Sequence, residues 1–168
     1  VYEITKEPIK ETKAKAKQEA YQAVYDGAKS FEQNDELDEA VKNQKATLSE
    51  GGYQNITIDE ALEAIDDNGN VIGTVLTVTT KEGYGGDITI TLGITDDKSV
   101  NVIEILSISE TAGLGMKATA DKFKTQYKDK TVDQFVVTKS GSANDNEIDA
   151  ISGATITSNA VTGAVNAG

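Results

Sequence analysis

Between Glu60 and Ile108 the apolar residues recur with a period of two, and the breaks between successive runs are short. The runs Glu60 to Asp66 and Val71 to Thr80 flank Asp67-Asn68-Gly69-Asn70, whose Asn-Gly step suits a tight hairpin turn. Ile88, Ile90, Leu92 and Ile94 alternate with Asp87, Thr89, Thr91 and Gly93, the pattern of a strand with one face buried. Asp96-Asp97-Lys98-Ser99 is a further turn, and Val100 to Ile108 a further strand. Parallel neighbours need a crossover of about a dozen residues or more. Turns this short therefore predict an antiparallel meander.

Helices are expected on either side of it. Pro8 to about Ala28 has Ile9, Ala16, Ala20, Ala23 and Val24 at roughly helical spacing, with Pro8 suited to a first turn. Five lysines between Lys6 and Lys17 make its first half basic, as a solvated face or a membrane-proximal stalk would be. Phe31 to Gly52 is polar and weakly patterned, and predicts no element. Thr119 to Tyr127 reads as helix and Phe135 to Thr138 as a strand. Ser158 to Ala167 reads as a small-residue helix with Ser158 as its N-cap. The expected fold is α+β, a single domain with a twisted antiparallel sheet flanked by helices. A length of 168 residues suits one domain with a full core.

Composition restricts the chemistry. The chain has no His, Cys or Trp, and all sixteen basic residues are Lys. Ser-His-Asp and Cys-His nucleophile systems are excluded, as are thiolate- or imidazole-held metals, disulfides and arginine clamps on phosphate. A net charge of −12 opposes nucleic acid and anionic lipid surfaces as partners. No run of eighteen apolar residues is present. The sequence begins at Val1 rather than Met. The expectation is either that an N-terminal segment was removed or that this is part of a longer protein, and any signal or anchor would have been on the missing part.

Several motifs reduce to structure. Asp66, Asn68 and Asn70 resemble the opening of a calcium loop, but Val71 stands where its glycine belongs and Thr77 where its glutamate does. The pairs Asp66/Asp67 and Asp96/Asp97 are solvated turn carboxylates. Asn55-Ile56-Thr57 fits a glycosylation acceptor, a pattern too short to carry weight. Gly113-Leu114-Gly115-Met116-Lys117-Ala118 has dinucleotide-fingerprint spacing but lacks the parallel βαβ setting. It remains a glycine loop whose bare backbone can approach something flat. Gly83-Tyr84-Gly85-Gly86, at a strand entrance, suits either a bend or a ligand contact. Asp149-Ala150-Ile151-Ser152-Gly153-Ala154-Thr155-Ile156-Thr157-Ser158 crowds small residues and hydroxyls at a helix entrance. Such an entrance is either a hydroxyl-rich cap or an anion site.

The segment Asp149-x-x-Ser152-Gly153-Ala154-Thr155 resembles the flavinylation motif of the FMN-binding domain in the G subunit of Rnf electron-transport complexes. The C subunit of the sodium-translocating NADH:quinone oxidoreductase carries a related domain. Gly83-Tyr84-Gly85-Gly86-Asp87-Ile88 and Glu110-Thr111-Ala112-Gly113-Leu114-Gly115 fall where that family has its other blocks. The resemblance covers roughly Pro8 to the C-terminus.

The resemblance implies that Thr155 carries FMN through a phosphoester, installed by a flavin transferase that uses FAD. Asp149, Ser152, Gly153 and Ala154 match the part of the motif that the transferase recognises. Thr111, Gly113, Leu114 and Gly115 match the loop that holds the flavin, and Tyr84, Gly85 and Gly86 a second wall. Thr157 and Ser158 continue the hydroxyl-rich entrance, where the phosphate would lie. Glu110 and Lys117 flank the flavin loop with opposite charges and would shift its potential in opposite directions. Ala112 departs from the family, which usually has proline there, but alanine can take proline's backbone angles. A threonine with no base beside it is a substrate for modification rather than a catalyst.

By the same resemblance the chain is an extracytoplasmic electron carrier in a membrane complex that links ferredoxin and NAD to ion movement. Residues 1–30 would be a helix following an N-terminal membrane anchor, and 31–168 the FMN-binding domain. The partners implied are the other subunits and the transferase, with no nucleic acid. The alternatives are a flavinylated domain of another extracytoplasmic electron chain, or a cell-surface binding module. The second leaves the Ser152 to Thr155 block without a purpose.

Overall fold

The computed structural model describes residues 18–25, 27–110 and 112–168. The period-two runs are strands: β2 (Ile56–Ile65), β3 (Val71–Thr80), β4 (Ile88–Thr95) and β5 (Val100–Ser107). With the short β1 (Ser30–Glu32) they form a five-stranded sheet in the order β1-β2-β3-β4-β5, each pair antiparallel. The predicted meander is the fold's centre. The Asp66 turn closes its first long hairpin: Asp66 Oδ1 accepts from the amides of Asn68 (2.8 Å) and Asn70 (2.9 Å). These donors, the Asn70 amide foremost, hold the Asp66 carboxyl below the usual carboxylate range.

Both faces of the sheet are covered. On one, Leu76, Val78, Ile88, Ile90, Leu92 and Ile103 meet Val161, Ala164 and Val165 of the C-terminal helix, with Phe123, Tyr127 and Phe135 beside them. On the other, helical residues 18–24 place Tyr21 and Val24 against Leu62, Ala64 and Val75. Two hydrogen bonds fasten that helix, from Asn101 Nδ2 to Val24 O at 2.8 Å and from the Tyr25 hydroxyl to Ile72 O. Double coverage explains why Thr91 is buried although it sits on the strand's polar alternation. Of the helix expected over Pro8 to Ala28, the part up to residue 17 lies outside the described residues.

One helix falls where none was expected. Residues Asp35–Glu50 form α1. Asn34 Oδ1 caps the amides of Glu36 (2.8 Å) and Leu37 (3.4 Å), and Asp35, Glu36 and Asp38 lie at the positive end of the dipole. Its buried stripe is narrow (Leu37, Val41 and Leu48), which accounts for the faint sequence pattern. Gln44 fastens it to the sheet by bonding both backbone groups of Ile58, beside a register shift in β2.

The stretch expected as one helix from Thr119 to Tyr127 is three short pieces. A 3₁₀ turn at Gly115–Thr119 leads to α2 (Asp121–Lys124) and a second 3₁₀ turn at Thr125–Tyr127. The expected strand at Phe135 is β6 (Val136–Thr138), and it pairs in parallel with an unexpected β7 (Glu147–Asp149). The last helix, α3 (Thr155–Ala167), begins three residues before the expected start. Near its end Asn166 bonds both backbone groups of Phe135, which secures the entry to β6.

Candidate functional site

The meander brings two loops together at one end of the sheet. Thr89 pairs with Ser107, so the entrance to β4 lies beside the exit of β5. Hence Gly83 to Gly86 and Ser109 to Glu110, far apart in sequence, are neighbours, with Leu114 and Gly115 beside them. The α3 helix packs across β3 and β4 and delivers its N-terminus to the same place. Between the three segments lies a cavity of about 580 Å³, lined by Tyr84, Glu110, Leu114, Gly115, Gly153, Ala154, Thr155, Ile156 and Thr157. That volume is in the range of small-molecule and cofactor sites.

Each wall has a local reason. Gly153 has φ +78°, a backbone state that side chains disfavour, and it turns the chain into α3. Gly115 lets the loop close on the helix: a Cβ there would lie 2.6 Å from Glu110 Cβ and 2.7 Å from Thr157 Oγ1. Tyr84, Leu114 and Ile156 are 71%, 42% and 52% exposed, three of the five large apolar side chains exposed among the described residues. All three line this one cavity. The same cavity takes in the start of α3, where Ser158 N makes the first helical bond, to Ala154 O at 3.0 Å. The amides of Thr155, Ile156 and Thr157 precede that bond, at the positive end of the helix.

Ser158 is not the N-cap. Ala154 takes that position without a side-chain bond, and Ser158 is fully buried one turn inside. Its hydroxyl donates to Ala154 O at 2.9 Å and accepts from Ile151 N at 2.9 Å. The hydroxyl thus serves the interior and folds the preceding loop onto the helix. Thr157 is also buried, and donates to Glu110 Oε2 at 2.8 Å. Thr155 is the half-buried hydroxyl on the cavity wall.

Of the residues singled out in the sequence, Tyr84, Glu110, Leu114, Gly115, Gly153, Ala154, Thr155 and Thr157 converge on the cavity. Gly85 and Gly86 do not line it, and the Gly85 amide donates to Glu110 Oε1 at 3.0 Å. Gly113, at φ +79°, is the turn before Leu114. Ser152 is exposed outside the lining, and Asp149 faces away, accepting from the amide and hydroxyl of Ser142. Lys117 is exposed and does not line the cavity, so Glu110 is its only charged wall residue among those described. Thr111 lies outside the described residues. Ile156 escaped the sequence reading. Its signal was an apolar β-branched residue beside Thr155 on a helix whose buried face is set by Thr157, Ala160, Val161 and Ala164.

An antiparallel sheet with a cavity between two glycine loops and a helix start defines a small-molecule-binding α+β domain. The match to known proteins makes this specific: residues 83–168 fit the model of the FMN-binding domain. The chain belongs to that family, and FMN is the cofactor that membership gives it.

Three relatives share this region. The chain is 47% identical over 81 residues to the G subunit of a proton-translocating ferredoxin:NAD(+) oxidoreductase complex from Clostridium ljungdahlii, covering 48% of this chain and 43% of the relative. It is 38% identical over 101 residues to the G subunit of a Na(+)-translocating ferredoxin:NAD(+) oxidoreductase complex from Acetobacterium woodii, covering 59% and 48%. It is 37% identical over 105 residues to the G subunit of an ion-translocating oxidoreductase complex from Methanosarcina acetivorans, covering 62% and 53%. The chain thus spans about half the length of the curated relatives it matches. The crystal structure of Shewanella oneidensis NqrC shares the fold, with a TM-score of 0.54 at 23% identity, covering 63% of this chain and 52% of that one.

Proposed function

We propose that this domain is an electron carrier with FMN joined by a phosphoester to Thr155. One observation carries the reading. Of the four hydroxyls in the Ser152 to Ser158 block, Thr157 and Ser158 are buried and bonded within the protein, and Ser152 lies off the cavity. Thr155 lines the cavity half-buried, and no partner among the described residues holds its hydroxyl. Its place at the first residue of α3 sets a phosphate on Oγ1 near the amides and dipole that favour an anion.

The cavity suits the cofactor at both ends. Tyr84, Leu114 and Ile156 offer apolar surface to a ring system, and Gly153 and Gly115 leave the backbone bare. In the attachment step Thr155 Oγ1 bonds to the flavin-side phosphorus of FAD and the pyrophosphate bond breaks. AMP departs with the hydroxyl proton, so the chain gains one FMN less one water. No group of this chain is needed as the catalyst; a flavin transferase supplies it, with Asp149, Ser152, Gly153 and Ala154 as its recognition sequence. Once bound, FMN supplies the redox chemistry, and the chain supplies binding, orientation and exclusion of water.

The three relatives, each the G subunit of its complex, support a place in an ion-translocating ferredoxin:NAD oxidoreductase, with its other subunits as electron partners. In this reading the domain follows an N-terminal membrane helix and works on the extracytoplasmic face. A covalent link serves that location, because no maintained FMN pool replaces a lost cofactor there. The tether holds the flavin at an effective concentration of about millimolar. The test is intact mass and visible absorption after co-expression with a flavin transferase.

A further inference from the structure

Glu110 is a carboxylate 9% exposed, in contact with three separate stretches of chain. Its Oε1 accepts from the Gly85 amide at 3.0 Å and its Oε2 from the Thr157 hydroxyl at 2.8 Å. Two glycines make room for it: a Cβ on Gly83 would stand 2.7 Å from Oε1, and one on Gly115 would stand 2.9 Å from Oε2. The carboxylate therefore spans the cavity from the loop that carries Tyr84 to the first turn of α3, two residues from Thr155.

From this geometry we infer that Glu110 is a positioning residue that sets the width of the cofactor cavity. It holds Tyr84 at a fixed distance from the helix start, through hydrogen bonds rather than by contact with a ligand. Tyr84 is 71% exposed and lies between the flexible Gly83 and Gly85, so its own packing does not fix it. A buried acceptor left without donors is costly, so the two donors and the carboxyl group hold one another. The role rests on the reading of this cavity as the FMN site. It differs from tuning the flavin potential by charge, because an uncharged group of the same shape fills it.

The experiment uses E110A, E110Q and T157V in the full chain, with two readouts. The first needs no flavin: hydrogen exchange at the Gly85 amide. The expected result is a loss of protection of about tenfold in E110A, and near-native protection in E110Q, whose amide oxygen still accepts from Gly85. The second is fluorescence anisotropy of the flavinylated chain, expected to fall in E110A, to be restored in E110Q, and to fall in T157V but not in T157S. T157V cuts only the helix side of the bridge, and it carries the second readout if E110A does not fold. Native Gly85 exchange in E110A, or an E110Q that behaves as E110A does, overturns the inference. So does a T157V chain with native anisotropy. A wild-type chain that takes up no flavin counts against the Thr155 reading, and leaves the exchange measurement to decide this one.

Discussion

Ser158 and Ile151 are joined by a 2.9 Å hydrogen bond from the Ile151 amide to the Ser158 hydroxyl, which closes the loop bearing Ser152, Gly153 and Ala154. Because the same hydroxyl donates to Ala154 O, one buried oxygen fixes both ends of the turn that presents Thr155. The shape of the candidate site therefore depends on a residue that does not line the cavity.

Replacing that oxygen leaves a polar group in the interior without its partner. S158A is expected to cost about 1–3 kcal/mol, read as a lower urea midpoint at unchanged m-value. Flavin uptake is expected to slow in the same variant, since Thr155 is no longer held in one conformation. A native midpoint for S158A would remove Ser158 from this role.

Gly153 gives a second check on the same turn. At φ +78° an alanine pays a left-handed penalty of about 1–2 kcal/mol, and its Cβ would lie 3.0 Å from Leu114 Cδ2. G153A is expected to lower the urea midpoint and to reduce flavin uptake. The Leu114 contact separates the two causes: G153A/L114A relieves the clash on the cavity wall and retains the backbone penalty.

Tyr127 sets the alkaline limit of stability. It is fully buried between Phe123 and Phe135, and its hydroxyl shares a 2.6 Å hydrogen bond with Thr162. Burial pushes its pKa well above the ordinary tyrosine value. A raised folded-state pKa means that its contribution is fully present below about pH 10, the unfolded value. The contribution is then lost as pH rises further. Urea midpoints measured from pH 8 upward should fall beyond pH 10 in the wild type, and less steeply in Y127F.

The sheet was legible in sequence because each long strand advertises itself twice, by alternation and by a bounding turn such as Asp67-Asn68-Gly69-Asn70. The α1 helix was not, because its apolar stripe is only Leu37, Val41 and Leu48 in a polar run. Its start signal was present, however, in Asn34 followed by Asp35, Glu36 and Asp38. The strand β7 is three residues long and pairs in parallel with β6, an arrangement set by tertiary packing rather than by local pattern.

The candidate site was legible as a set of motifs and less so as a surface. Thr155, Tyr84, Leu114 and Gly115 line the cavity together, whereas Lys117 does not, although it stands only two residues beyond Gly115. The tight 3₁₀ turn at Gly115–Thr119 decides that, leaving Lys117 exposed. Ser158 shows the same limit. A hydroxyl near a helix start reads as a cap in sequence, and only the fold reveals whether it points outward or, as here, into the core.

In the proposed function Thr155 holds the cofactor. The direct measurement is intact mass of the wild-type chain and T155A, each co-expressed with a flavin transferase shown to be active in the same cells on another substrate. The wild type is expected to gain one FMN less one water, with flavin absorption that survives denaturation, and T155A to gain nothing. A T155A chain carrying the same added mass, or a wild-type chain left unmodified by the active transferase, would contradict the proposed function.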